Sequence, residues 1–181
     1  MKTTSTKLPN NFNANVVRAA IRERIALKNF RDIQGDFKIT HISKVEGQES
    51  WDAIYLSAGT EVLAEVKVRD KNYKDWDHEG WILEQYKYNM LKALQVQSKR
   101  PLKLMYVNVF RDATILWDLD EITPRFEMRN CKIMTVENRG KIDKSVALLQ
   151  SIDGTVYEMK NDIESWTKLS KEIFNFLFPE N

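Results

Sequence analysis

The segment from Trp51 to Arg69 constrains the fold more than any other part of the chain. Two runs rich in apolar residues, 51–56 and 61–69, are separated by Ser57-Ala58-Gly59-Thr60. So short a break with a glycine inside turns the second run back along the first, as a β-hairpin. Alternate side chains of a strand share a face. Glu61, Leu63, Glu65 and Lys67 therefore point one way, and Val62, Ala64, Val66 and Val68 the other. A two-residue loop pairs Ser57 with Thr60, and a four-residue loop pairs Leu56 with Glu61. Both give one register, which sets Asp52 opposite Glu65, their β-carbons about 4.5–5.5 Å apart. Lys67 follows two residues on, on the same face.

Like charges directly opposed on a hairpin repel and weaken it. A bound divalent cation removes that cost. Magnesium takes oxygen ligands, usually one or two carboxylates with waters and a substrate phosphate. An ammonium beside it can hold a water or offset charge on a phosphate oxygen. These are the parts needed for metal-assisted attack of water on a phosphodiester. The competing reading is an exposed Glu/Lys-rich face with an unimportant Asp. Acid-x-Lys triplets also occur at Asp36-Phe37-Lys38 and Glu158-Met159-Lys160. Only Glu65-Val66-Lys67 is set by a hairpin against a second acid.

The rest of the chain supplies partners for this hairpin. Asn13 caps a helix predicted over Ala14–Phe30, and 36–43 alternates as a strand. Trp81–Gln97 is read as one long helix, with Leu83, Met90 and Leu94 at helical spacing and Pro101 beyond its end. Leu102–Phe110 and Ala113–Leu119 form a second hairpin around Arg111-Asp112. Short strands are read at 132–136, 146–149 and 156–159. Asp162 caps a last helix to Phe178, with Ile163, Trp166, Leu169, Ile173 and Leu177 as its buried stripe. Helices alternating with strands in this way predict a mixed α/β fold with helices covering a central sheet. Residues 1–13 are polar and read as a flexible arm, and 14–181 as one domain, with a core over about 14–118 and an extension over about 120–181.

Both long helices carry an oddity. On the first, Val16, Ala20, Glu23, Leu27 and Phe30 fall along one stripe, which puts a carboxylate in an apolar face. Glu23 is either an extra metal or water ligand or the partner of Arg22, Arg24 or Lys28. On the second, Lys87 emerges among Leu83, Met90, Leu91 and Leu94. It reaches the carboxylates or a phosphate, pairs with Glu84, or snorkels to solvent. Gln85 faces another side of that helix.

Several functions lack their signatures. There is no Gly-x-x-x-x-Gly-Lys loop and no Gly-x-Gly-x-x-Gly turn, and Cys131 with His41 and His78 cannot build a zinc cage. A single cysteine precludes an internal disulfide and favours a reducing compartment. No apolar run approaches the span of a bilayer and no secretory signal is visible, so the expected location is cytoplasmic. The net charge of +2 draws polyanions only through local patches, such as Lys67, Arg69, Lys71 and Lys74.

Asp52, near the start of Ser50-Trp51-Asp52-Ala53-Ile54, followed by Glu65-Val66-Lys67, resembles the motif of the PD-(D/E)XK nuclease superfamily of restriction endonucleases and Holliday junction resolvases. Glu23 is similar to the acid often found on that family's first helix, and the element order resembles its αβββαβ core. Trp51 stands where the family often has proline. Gln85 and Tyr88 are three apart, where some members place Gln and Tyr four apart. The resemblance covers roughly 14–118. It implies a restriction-endonuclease-like fold and a hydrolase, a deoxyribonuclease of endo or exo type. Asp52, Glu65 and the Val66 carbonyl would ligate Mg2+, with Mn2+ as a substitute, and Lys67 would position the attacking water. Gln85, Lys87, Arg69 and Lys71 are the expected substrate contacts. DNA is the expected partner, RNA stays open beside it, and a homodimer suits enzymes that cut both strands. The alternative is an inactive nuclease fold that binds nucleic acid or protein.

Overall fold

In the computed structural model the hairpin forms from β2 (Ala53–Ser57) and β3 (Thr60–Val68), paired from Ser57↔Thr60 to Ala53↔Ala64 as the sequence requires. Gly59 turns the chain at φ 81°, a value side chains other than glycine resist. The structure describes residues 14–29, 38–42, 52–57, 59–75, 79–132 and 141–179. The expected arm over 1–13 lies outside them, as do Phe30, Trp51 and His78.

The elements before and after the hairpin are α1 (Ala14–Asn29), β1 (Lys38–Ile42), β4 (Trp81–Glu84), α2 (Gln85–Gln97), β5 (Leu102–Val109) and β6 (Ala113–Asp118). The chain closes with β7 (Glu127–Lys132), β8 (Lys141–Leu149), β9 (Thr155–Glu158) and α3 (Ile163–Leu177). Six strands form one mixed sheet in the order β1-β2-β3-β5-β6-β9, and β4-β8-β7 form a second, antiparallel one. Within the large sheet β3 and β5 are parallel and the other neighbours antiparallel. The chain is therefore a mixed α/β protein, as the pattern predicts. Among the described residues no helix is long and apolar enough to cross a membrane.

The period-two pattern of β3 divides the interior. Val62, Ala64, Val66 and Val68 pack with Val17, Ile21 and Ile25 of α1 and with Trp166 and Phe174 of α3. Leu63 on the opposite face packs with Trp81, Leu83, Leu91, Tyr106 and Trp117. Each large apolar side chain fully buried this way contributes about 1.5–3 kcal/mol.

Three expectations change. Trp81–Glu84 is a strand and not the first turn of the helix. Trp81 and Leu83 are buried while Ile82 between them is 41% exposed, and the segment pairs with β8 from Trp81↔Leu149 to Glu84↔Val146. The Tyr106 hydroxyl donates to the Ile82 carbonyl at 2.8 Å and ties β4 to the large sheet. Four residues at a helix start have little propensity to set against a row of ladder bonds and two buried side chains. Second, α1 turns Val17, Ile21, Ile25, Ala26 and Leu27 inward, while Val16, Ala20 and Glu23 are only half-buried. This rotation keeps the carboxylate of Glu23 at the rim, where it finds a cation. Third, α3 starts at its Asp162 cap, which accepts from the Ser165 N–H at 3.1 Å, but buries Trp166, Ser170 and Phe174 and leaves Leu169 42% exposed.

The C-terminal part is built into the same core. β9 pairs with β6 at the edge of the large sheet, and α3 packs against α1. β7 includes Lys132, the first residue of the strand expected at 132–136, and 133–136 lie outside the described residues. The junction into β4 is tight: a β-carbon on Gly80 would lie 2.6 Å from the Leu149 carbonyl oxygen. Gly80→Ala must push β4 off β8, and a denaturant titration is expected to show a loss of about 1–3 kcal/mol.

Candidate active site

The ladder stops one step short of Asp52. Its N–H turns to the Ala64 carbonyl at 2.8 Å, and its Oδ2 accepts the Val66 N–H at 2.7 Å. Asp52 therefore does not stand squarely across from Glu65 as a ladder partner. Its side chain instead binds the backbone of β3 between Glu65 and Lys67. The other oxygen, Oδ1, accepts from Arg24 Nη1 of α1 at 3.1 Å.

Glu65 and Lys67 share the α2-facing side of β3, as the alternation predicts. Lys67 Nζ lies 2.8 Å from Glu65 Oε1 and 3.1 Å from Glu23 Oε1, and it donates to the Val66 carbonyl at 3.1 Å. From α2, Lys87 Nζ reaches Glu65 Oε1 at 3.2 Å and Oε2 at 3.3 Å. Lys87 thus takes the route toward the carboxylates, and Glu84 pairs instead with Lys144 at 2.7 Å. Glu23 meets Lys67 of β3. Arg24 is on Asp52, and Arg22 approaches Thr167 at 3.4 Å.

Asp52, Glu65, Lys67 and Glu23, drawn from α1, the start of β2 and β3, thus share one cluster, joined by Lys87 and Arg24. Arg69 lies just past β3 and donates from Nε to Asn108 Oδ1 at 2.9 Å. Lys71 is exposed, and its carbonyl accepts the Arg111 N–H. No described contact brings Gln85 to the cluster. It lines a surface cleft of about 480 Å³ with Glu84, Tyr86, Asn89, Lys144 and Ser145.

Three participants escape a reading of the sequence. Arg24 is one of three arginines on α1, and only the docking of that helix selects it. Asn108 and Tyr106 on β5 stand in register with Lys67 and Glu65 and wall the same face. A lone amide within the apolar run Tyr106–Phe110 is the signal that could have singled out Asn108, which is completely buried.

Burial and charge divide the two deep carboxylates. Asp52 is pushed up to about 7, first by burial and then by the charges of Glu65 and Glu23, against the pull of Lys67 and Arg24. Burial also acts to raise Glu65, but Lys67 and Lys87 together hold it below its ordinary value. Burial acts to lower Lys67, yet Glu23, Glu65 and Asp52 hold it well above the usual lysine range.

The donor set suits a hard cation. It consists of carboxylate and carbonyl oxygens. Glu65 Oε1 is buried without a well-aligned hydrogen bond and meets only the charge of the two ammonium groups. Each Asp52 oxygen keeps a lone pair beyond the contacts named above. Among the described residues no three His, Cys, Asp or Glu side chains are grouped as a metal cage. A magnesium site of two carboxylates, a carbonyl and waters does not need one. No protein-family model matches the chain, and no curated protein matches it.

Proposed function

We propose that this chain is a metal-dependent nuclease that hydrolyses phosphodiester bonds in DNA, of the PD-(D/E)XK type its motifs resemble. The observation that carries the reading is the convergence of Asp52, Glu65 and Lys67 in one buried cluster at the end of the hairpin. The order α1, β1, β2, β3, α2, β5 supports it, with β4 the one strand interposed.

Asp52, Glu65 and the Val66 carbonyl would hold magnesium, or manganese in its place. Such an ion, when bound, supplies Lewis acidity and lowers the pKa of a bound water. Lys67 orients a water or offsets charge on a phosphate oxygen, and Glu23 holds Lys67 for that work. Asp52 ties Val66 to Arg24, which fixes the carbonyl and carboxylates relative to α1. Lys87, Arg69 and Lys71 contact the phosphate backbone in this reading, and Gln85 meets substrate outside the cluster. Cytoplasmic location belongs to the same proposal, as does a homodimer for cutting both strands of a duplex.

A screen of duplex, nicked, branched and single-stranded DNA, with RNA alongside, tests it in magnesium or manganese. Cleavage is expected with at least one DNA and disappears in Asp52→Asn, Glu65→Gln and Lys67→Met. Cleavage that survives all three changes overturns the assignment.

One observation favours a second reading. Glu23, Asp52 and Glu65 each meet a cationic side chain among Arg24, Lys67 and Lys87, so every carboxylate of the cluster has a partner without any added ion. Such a network can serve structure alone in a nuclease fold that binds nucleic acid or protein without turnover. Salt-sensitive DNA binding with no cleavage under any metal would support it.

A further inference from the structure

The ammonium of Lys67 sits among oxygens. Its three neighbours are Glu65 Oε1 at 2.8 Å, Glu23 Oε1 at 3.1 Å and the Val66 carbonyl oxygen at 3.1 Å. The ammonium donates to Glu23 and the Val66 carbonyl and meets Glu65 Oε1 as an ion pair, so all three oxygens face one cation. Two of those oxygens, Glu65 Oε1 and Val66 O, are the ones a divalent ion would need. We infer that Lys67 occupies the metal seat, so that a divalent ion binds only when the ammonium withdraws. The inference rests on the metal-dependent reading of the site.

Two cations cannot share the seat. Magnesium holds its oxygens at about 2.0–2.1 Å, which leaves no room for an ammonium in contact with the same atoms. Coulomb repulsion between them adds to the steric conflict. The surroundings are suited to an exchange. Lys87 touches both oxygens of Glu65, so that carboxylate keeps a charged partner on Oε2 after Lys67 leaves. Lys67 keeps 31% of its side-chain surface exposed, and Glu23 stands beside it at the rim. The ammonium can therefore move outward while still paired with Glu23. From there it would be placed to meet a water or a phosphate oxygen. Glu23 is thereby a positioning residue for Lys67 and not a ligand of the metal.

Removing any positive charge near the site raises cation affinity through the general field. Lys87 provides the control, because it meets the same Glu65 oxygen but has no described contact with the Val66 carbonyl. Calorimetric titration of the full chain with Mn2+ compares wild type, Lys67→Met and Lys87→Met, with far-UV circular dichroism as the check on folding. Lys67→Met is expected to bind Mn2+ about tenfold more tightly than wild type, equivalent to about 1.4 kcal/mol. Lys87→Met is expected to change affinity by clearly less. Lys67→Gln replaces the methionine variant if that protein does not fold. Equal tightening in both lysine variants would mean that only the field matters, and the seat assignment fails. No tightening in the Lys67 variant would also end it, while leaving a metal-dependent nuclease intact. Absence of Mn2+ binding in all three proteins would overturn the metal site itself.

Discussion

Lys67→Met is expected to slow DNA cleavage about 10²–10³-fold, the usual cost of removing one well-placed charged donor from a polar active site. The methionine has similar reach but carries no charge and donates no hydrogen bond. The fold should survive, because Glu65 keeps Lys87 at 3.2 Å and Glu23 is half-buried at the rim. That redundancy matters, since breaking a buried ion pair with no second partner costs about 3–5 kcal/mol. Single-turnover cleavage at saturating Mn2+ isolates the chemical step from metal binding. A lost rate together with tighter metal binding would separate the two roles of this side chain. A variant as fast as wild type would remove Lys67 from the chemistry.

The second large effect is on stability. Asp52 rises from 3.8 to about 7 in the folded protein. Between those values the folded state holds a proton that the unfolded chain has already released. Stability from this group is therefore complete below about pH 4 and is lost as pH rises through 7. At about 1.4 kcal/mol per pH unit, the loss amounts to a few kcal/mol. Glu65 shifts the other way, and its contribution is lost only as pH falls below the ordinary glutamate range. A comparison between pH 5 and pH 8 therefore reports mainly on Asp52.

Asp52→Asn does not titrate, so its stability should stay nearly flat across that window. The amide oxygen can still accept the Val66 N–H, while the NH2 group faces Arg24 and forfeits that contact. At pH 5 the variant should gain nothing. At pH 8 it should melt about 4–8 °C above wild type, as a few kcal/mol implies for a chain of this size. Magnesium should raise the wild-type melting temperature by mass action and leave the variant unchanged. A wild-type protein equally stable at both pH values, or one indifferent to magnesium, would contradict the account.

The sequence by itself determined the hairpin and what faces what along it. Gly59 and the strict alternation of residues 61–68 leave one register, and that register puts Glu65 and Lys67 on one face of β3. The Asp162 cap and the second hairpin were legible for the same reason: each is written within a few residues. Tertiary structure alone decided the rest. Trp81–Glu84 became a strand because β8, more than sixty residues later, offered it a ladder. The docking of α1 against β3 and α3 rotated Glu23 to Lys67 and chose Arg24 for Asp52. The position of α2 brought Lys87 to Glu65. Asp52 left its ladder position because its carboxylate could bind the Val66 N–H, a local competition that alternation does not encode. Local sequence fixes the period of an element and its faces. Which residue meets a buried charge is set by the packing of elements distant in the chain, where burial makes each unpaired charge costly.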